Sequence, residues 1–222
     1  GSGKTSFLEA VSLILNGKSF LSANKKELIR TNNEVLLIKG NVKQQNQQNK
    51  SLCFSINKNK TTHKTNNKRI SQQTAHLEQP VCLIDSNVVN VSSGLPSYRR
   101  AMIDRAVFHV EPEHAKNHRE FKRCLTQRNR VLSEGGTQQD VRVWNNPLSL
   151  VGEKISKARQ DLLREAKPCF KEITREILGV GYSFSFIKSW GPESYFECLV
   201  SNEKRDRSIK NTSKGPQKED FK

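Results

Sequence analysis

Apolar positions along the chain fall into a few periodic stretches separated by long polar ones. Residues 6–15 read as a helix, with Leu8, Val11, Ile14 and Leu15 spaced at threes and fours, and Asn16-Gly17 closing it. Val35-Leu36-Leu37-Ile38 is short, apolar and β-prone, and residues 52–56 form a weaker strand candidate. The polar runs 44–50 and 57–74 read as solvated loops or β-turns. Val81-Cys82-Leu83-Ile84, after Pro80, has the pattern of a buried strand. A helix is predicted from Pro96 or Ser97, with Met102, Ile103, Ala106 and Val107 as its stripe. Pro112 opens the next one, which places Phe121, Cys124, Leu125 and Leu132 near one face before Gly135-Gly136 breaks it.

The longest periodic signal links Leu148, Val151, Ile155, Ala158, Leu162, Ala166, Phe170, Ile173 and Ile177, with Gly179 at its end. Pro168 should kink or restart that helix. Two antiparallel helices around a short turn then make a hairpin-like arm. Tyr182, Phe184 and Phe186 alternate with serines as a half-buried strand does, and residues 194–202 suggest a short helix. The expected organisation is α/β: a strand-rich head over 1–95, a helical arm over 96–179, and a return toward the head over 180–222.

Composition narrows the function. Hydrophobic residues are 34% of 222, or about 39% with the 12 glycines, so the core is lean against the usual ~45–50%. The formal net charge is +16, which points to a polyanionic partner, with nucleic acid first. No apolar run approaches the ~20 residues of a spanning helix, so no membrane association is expected. The five cysteines, Cys53, Cys82, Cys124, Cys169 and Cys198, are scattered without a C-x-x-C pair, as suits a reducing cytoplasm.

The candidate chemistry sits at the start. Gly1-Ser2-Gly3-Lys4-Thr5 is the back half of the phosphate-binding pattern G-x-x-x-x-G-K-[ST]. Glycines let the backbone curl its N–H groups toward phosphate. Lys4 is placed to reach the β- and γ-phosphate oxygens, the Thr5 hydroxyl to hold Mg²⁺, and Ser6 to meet the α-phosphate. The helix that follows turns its positive end to the same ligand. With no initiator Met and no capped end after Phe221-Lys222, the chain reads as an internal piece of a longer protein.

Elsewhere the patterns are thinner. Arg99, Arg100, Lys122, Arg123, Arg128 and Arg130 fall on the helical portion and are candidate DNA-phosphate contacts. His114 and His118, four apart on a helix, lack an obvious third metal ligand, so a solvated helix face is the default. Asp104, Glu111 and Glu113 form no recognisable acid/base pair, and no catalytic residue is assigned.

In order, these motifs resemble the RecF family of bacterial DNA replication and repair proteins. Gly1 to Ala10 is followed by Gly17-Lys18-Ser19-Phe20 and Leu28-Ile29-Arg30. Next come Gly94-Leu95-Pro96-Ser97-Tyr98-Arg99-Arg100-Ala101-Met102-Ile103-Asp104, then Phe108-His109-Val110-Glu111-Pro112. Gln127-Arg128-Asn129, Trp144, Trp190, Arg205-Asp206-Arg207 and Gly215-Pro216 complete the set. The resemblance implies an ABC/SMC-type P-loop ATPase head, incomplete here, with an inserted helical arm. It implies nucleotide binding at Gly1, Ser2, Gly3, Lys4 and Thr5 with ATP and Mg²⁺ as cofactors, and an ATP-dependent homodimer.

It further implies binding of single-stranded, gapped and double-stranded DNA, action with RecO and RecR in loading RecA, and a part in the SOS response. Three positions depart from the family pattern. Cys82 stands where a glutamine is usual, Asp85-Ser86-Asn87 replaces x-P-E, and Gln217 replaces the histidine after Gly-Pro. The signature and Walker B motifs are absent from these 222 residues, so weak ATPase activity is expected of a longer parent rather than of this piece. The alternative reading is a basic nucleic-acid-binding module without a working nucleotide switch.

Overall fold

The computed structural model describes residues 3–22, 24–43, 49–57, 60–78, 81, 83–84 and 89–222. Its contacts divide the chain into two units, Gly1–Ile84 and Asp85–Lys222. The expected boundaries at 95 and 179 are not where the contacts divide, and residues 180–222 belong to the helical unit.

In the first unit, helix α1 (Lys4–Asn16) ends where Gly17 turns left-handed and donates its N–H to the Leu13 carbonyl. Four antiparallel strands follow in the order β1 (Val35–Lys43), β2 (Asn49–Asn57), β3 (Lys60–Thr65) and β4 (Lys68–Ile70). Alternation decides the buried face. Leu52, Phe54 and Ile56 of β2 point inward, and Phe54 and Ile56 meet Leu13 of α1, with Ile14, Leu28, Leu36 and Ile38 packed around them.

The polar run 57–74 is not loop, as its composition suggested: β3, β4 and the start of α2 (Gln72–Glu78) lie in it. Asn66 and Asn67 sit at φ 48° and 63° between β3 and β4, which makes the two-residue primed hairpin turn that asparagine tolerates. Threonines give the strand its β-propensity, and His63 is the one β3 side chain that becomes fully buried. No strand forms at Val81, Leu83 and Ile84, and Ile84 is exposed; Cys82 lies outside the described residues.

The second unit is mainly helical. After α3 (Val89–Ser93), Pro96 starts α4 (Pro96–Val110) at its first turn, and α5 (Glu113–Ser133) begins directly after Pro112. Of the α4 stripe, Ile103 and Val107 are buried while Met102 and Ala106 are exposed. A helix absent from the sequence reading, α6 (Gln138–Val143), is fixed by a capping box between Thr137 and Asp140. Next, α7 (Asn145–Leu178) runs unbroken through Pro168, so the expected restart does not occur.

The first half of α7 carries the core. Leu148 and Ile155 meet Phe121 and Cys124 of α5, and Trp190, Tyr195, Cys198 and Leu199 close the cluster. Ala158 and Leu163 join Ile103 and Val107 in a second cluster with Phe184, Phe186 and Phe221. Beyond residue 163 the side chains of α7 are almost all exposed, including Phe170, Ile173 and Ile177 of the apolar stripe. The expected strand around Phe184 shrinks to β5 (Phe186–Ile187), paired antiparallel with β6 (Asp220–Phe221). Between them lie α8 (Tyr195–Ser201), capped by Ser194, and α9 (Glu203–Ile209).

Candidate functional site

Gly1 and Ser2 lie outside the described residues, so the phosphate-binding stretch is seen from Gly3 onward. Gly3 caps α1 at φ 72°, a left-handed conformation that favours glycine, and its carbonyl accepts the Phe7 N–H at 2.9 Å. A Cβ on Gly3 would meet nothing within 4 Å, so the backbone there is open to an approaching group. Lys4 and Thr5 occupy the first two helical positions and are exposed, and the first turn of α1 carries no acidic side chain. The opening N–H groups of a helix with no anion of its own suit a phosphate. Lys4, Thr5 and the Gly3 turn could therefore hold a phosphate-bearing ligand.

The basic residues of the helical unit separate by burial. Arg128 is fully buried, and this overturns its assignment as a DNA contact. Its Nη1 donates to Asp206 at 2.8 Å and to the Thr212 hydroxyl at 2.7 Å, and its Nε donates to Asn145 at 2.9 Å. Arg99, with 12% of its side chain exposed, grips both carboxylate oxygens of Asp220 and also donates to the Gly94 carbonyl. Arg100 donates to the Glu219 carbonyl at 2.8 Å. Lys122 and Arg123 remain exposed on α5; Arg123 pairs with Glu120 and lies 6.0 Å from the Trp144 ring centre. Arg130 pairs with Glu134 on the surface.

A second constellation was only half visible in sequence. His114 is 1% exposed, so it does not lie on a solvated face. Its Nε2 is 3.1 Å from Asp104 Oδ1, and His118 Nε2 is 3.2 Å from the same oxygen. Arg159 of α7 clamps Asp104 through Nε at 2.7 Å and Nη2 at 2.8 Å, while its Nη1 donates to Glu219 at 2.8 Å. Burial pushes the Asp104 carboxyl up, but hydrogen bonds from His114, His118 and Arg159 outweigh it and hold the group well below the usual range. Glu219 is driven upward by burial, against its bonds to Ser156 and Arg159. Spacing gave the two histidines; the carboxylate comes from α4, across the turn at Pro112.

Gln217 donates to the Lys214 carbonyl at 2.9 Å, which pins the turn after Pro216. Asp85-Ser86-Asn87, like Cys82, lies outside the described residues. Among the described residues no helix is long and apolar enough to cross a membrane.

Comparison with known proteins now adds to this geometry. No family model matches. The chain is 30% identical over 225 residues to the DNA replication and repair protein RecF of Vibrio vulnificus strain YJ016, and 31% identical over 225 residues to that of Aliivibrio fischeri strain ES114. The RecF of Photorhabdus laumondii is 32% identical over 233 residues. All of this chain is covered each time, but it spans only 62–63% of those relatives' own length.

In fold it is similar to a solved structure of the recombination mediator protein RecF with ATP in the RecFOR pathway. The TM-score is 0.87 at 22% identity, over 99% of this chain and 63% of the other. A second RecF structure, with an ATP analogue, gives a TM-score of 0.86. In its ordered motifs, in relatives that match its whole length and in its fold, this chain is similar to RecF proteins.

Proposed function

We propose that this chain is the nucleotide-binding and arm-bearing part of an ATP-dependent DNA-binding protein of replication and recombinational repair. The observation that carries the reading is the Gly3–Lys4–Thr5 turn: a left-handed glycine opening a 13-residue helix, with an exposed lysine and threonine and no acid in the first turn. The relatives' name and the nucleotide in the similar RecF structures support it. Gly1 to Gly3 would offer backbone N–H groups, Lys4 its ammonium and Thr5 its hydroxyl as a magnesium ligand. Bound MgATP supplies a dense, localised negative charge that two such heads can share, and an ATP-dependent homodimer follows from that reading.

DNA, single-stranded, gapped or double-stranded, would meet the cationic helical unit. Lys122, Arg123 and Arg130 are the exposed basic candidates on α5. RecO and RecR as partners, RecA loading, the SOS response and a cytoplasmic location belong to the same proposal. Any ATP hydrolysis is assigned to the longer protein and is expected to be weak.

The test is Lys4→Ala in the full-length protein. Nucleotide uptake measured by calorimetry should be lost, and DNA retention should no longer depend on ATP. If Lys4→Ala takes up magnesium-nucleotide normally and retains DNA as before, the switch reading fails, leaving a basic DNA-binding module.

A further inference from the structure

We propose that Asp104, His114 and His118 form a site for a divalent transition-metal ion of the zinc class, tying α4 to α5. His114 and His118 stand one helical turn apart on α5, with ring centres 4.6 Å apart. One ligand atom from each of the three residues lies within 4.8 Å of the others. The two nitrogen-to-oxygen separations, 3.1 and 3.2 Å, are close to the edge of a tetrahedral zinc site, about 3.3 Å for bonds of about 2.0–2.1 Å, and the two imidazole nitrogens must stand within about 4.2 Å to share one ion.

Two imidazole nitrogens face one carboxylate oxygen that already accepts Arg159 Nε at 2.7 Å. His118 Nε2 is a buried atom 3.2 Å from that oxygen. A cation between the three would take the carboxylate oxygen and both Nε2 atoms as ligands, with each histidine giving up its N–H at that atom. Arg159 then does what outer-shell groups do, orienting the carboxylate, while Glu219 meets its charge on the far side.

The nitrogen-rich, oxygen-containing set selects Zn²⁺, Co²⁺ or Ni²⁺ over Mg²⁺. His118, 34% exposed, gives the ion a way in and leaves room for water as a fourth ligand. Arg100 and Arg159 close by limit the affinity. The site is independent of the nucleotide reading, since it rests on α4, α5 and α7 alone.

The test titrates the chelator-stripped chain with Co²⁺, then Zn²⁺, following visible absorbance and heat. One Co²⁺ per chain is expected, with a nitrogen-and-oxygen type spectrum, displacement by Zn²⁺, and a Zn²⁺-dependent rise in Tm. His118→Asn, whose partial exposure spares the fold, should weaken binding by more than the ~10–100-fold that follows loss of an outer-shell partner. Circular dichroism without metal verifies that this variant stays folded. The proposal is overturned by failure to take up Co²⁺ stoichiometrically, by unchanged affinity in His118→Asn, or by a sulfur-to-cobalt charge-transfer band, which would move the ion to a cysteine.

Discussion

Arg128 and Asp206, 78 residues apart in sequence, meet at 2.8 Å with side chains 0% and 1% exposed, and so join α5 to α9 inside the helical unit. Asp206 uses its other oxygen on the Ser213 N–H and hydroxyl. Removing one member leaves the other charge buried without its partner, which costs about 3–5 kcal/mol. Arg128→Ala and Asp206→Ala should each lower the urea midpoint of this unit accordingly. Arg128→Lys should rescue little, because one ammonium cannot reach Asn145, Asp206 and Thr212 in the planar fork that the guanidinium uses.

Gly17 and Gly3 both sit at left-handed φ, 67° and 72°, yet the two should respond differently to alanine. At Gly3 only backbone strain applies, about 1–2 kcal/mol, since a Cβ meets nothing. At Gly17 a Cβ would also stand 2.8 Å from the His63 ring and 2.9 Å from the Gln72 amide nitrogen. Gly17→Ala should therefore destabilise the sheet unit clearly more than Gly3→Ala in parallel thermal melts.

Asp104 sets an acid limit. Its folded-state pKa lies below the unfolded value near 3.9, so its contribution is present above that value and drains away as pH falls below it. Glu219 works oppositely: raised by burial, it favours the fold most at low pH and loses that contribution as pH rises through its folded pKa. Denaturation midpoints should fall as pH drops from about 5 toward 3. Asp104→Asn should be less stable at neutral pH but show a flatter acid limb, because its side chain no longer titrates.

Much of this was legible beforehand because it is local. The α1 period, the Pro96 and Pro112 helix starts and the Gly179 stop depend on residues a few positions apart. What stayed hidden depends on distant ones. Arg128 looks like any basic helix residue until Asp206 and Thr212 arrive from the far end of the chain. His114 and His118 were found by spacing, but Asp104 could not be, because helical periodicity does not carry across Pro112. The β3–β4 hairpin was missed because a strand of lysines and threonines with one buried histidine has no hydrophobic alternation to betray it. Pro168 does not restart α7: on an exposed stretch of the helix, one missing N–H is tolerated without ending it.

That sorting by burial yields a prediction for DNA. Each phosphate contact on duplex DNA contributes about 0.9 to the slope of log affinity against log salt. If DNA meets α5, Lys122→Ala should flatten the slope by about that amount in the full-length protein. Arg123→Ala should flatten it less, since part of the Arg123 charge is already engaged by Glu120 and directed over Trp144. Arg128 reaches no solvent, so a fold-preserving substitution there should leave the slope unchanged. Filter-binding isotherms at several salt concentrations decide it: a Lys122→Ala slope equal to wild type would remove α5 from the DNA interface.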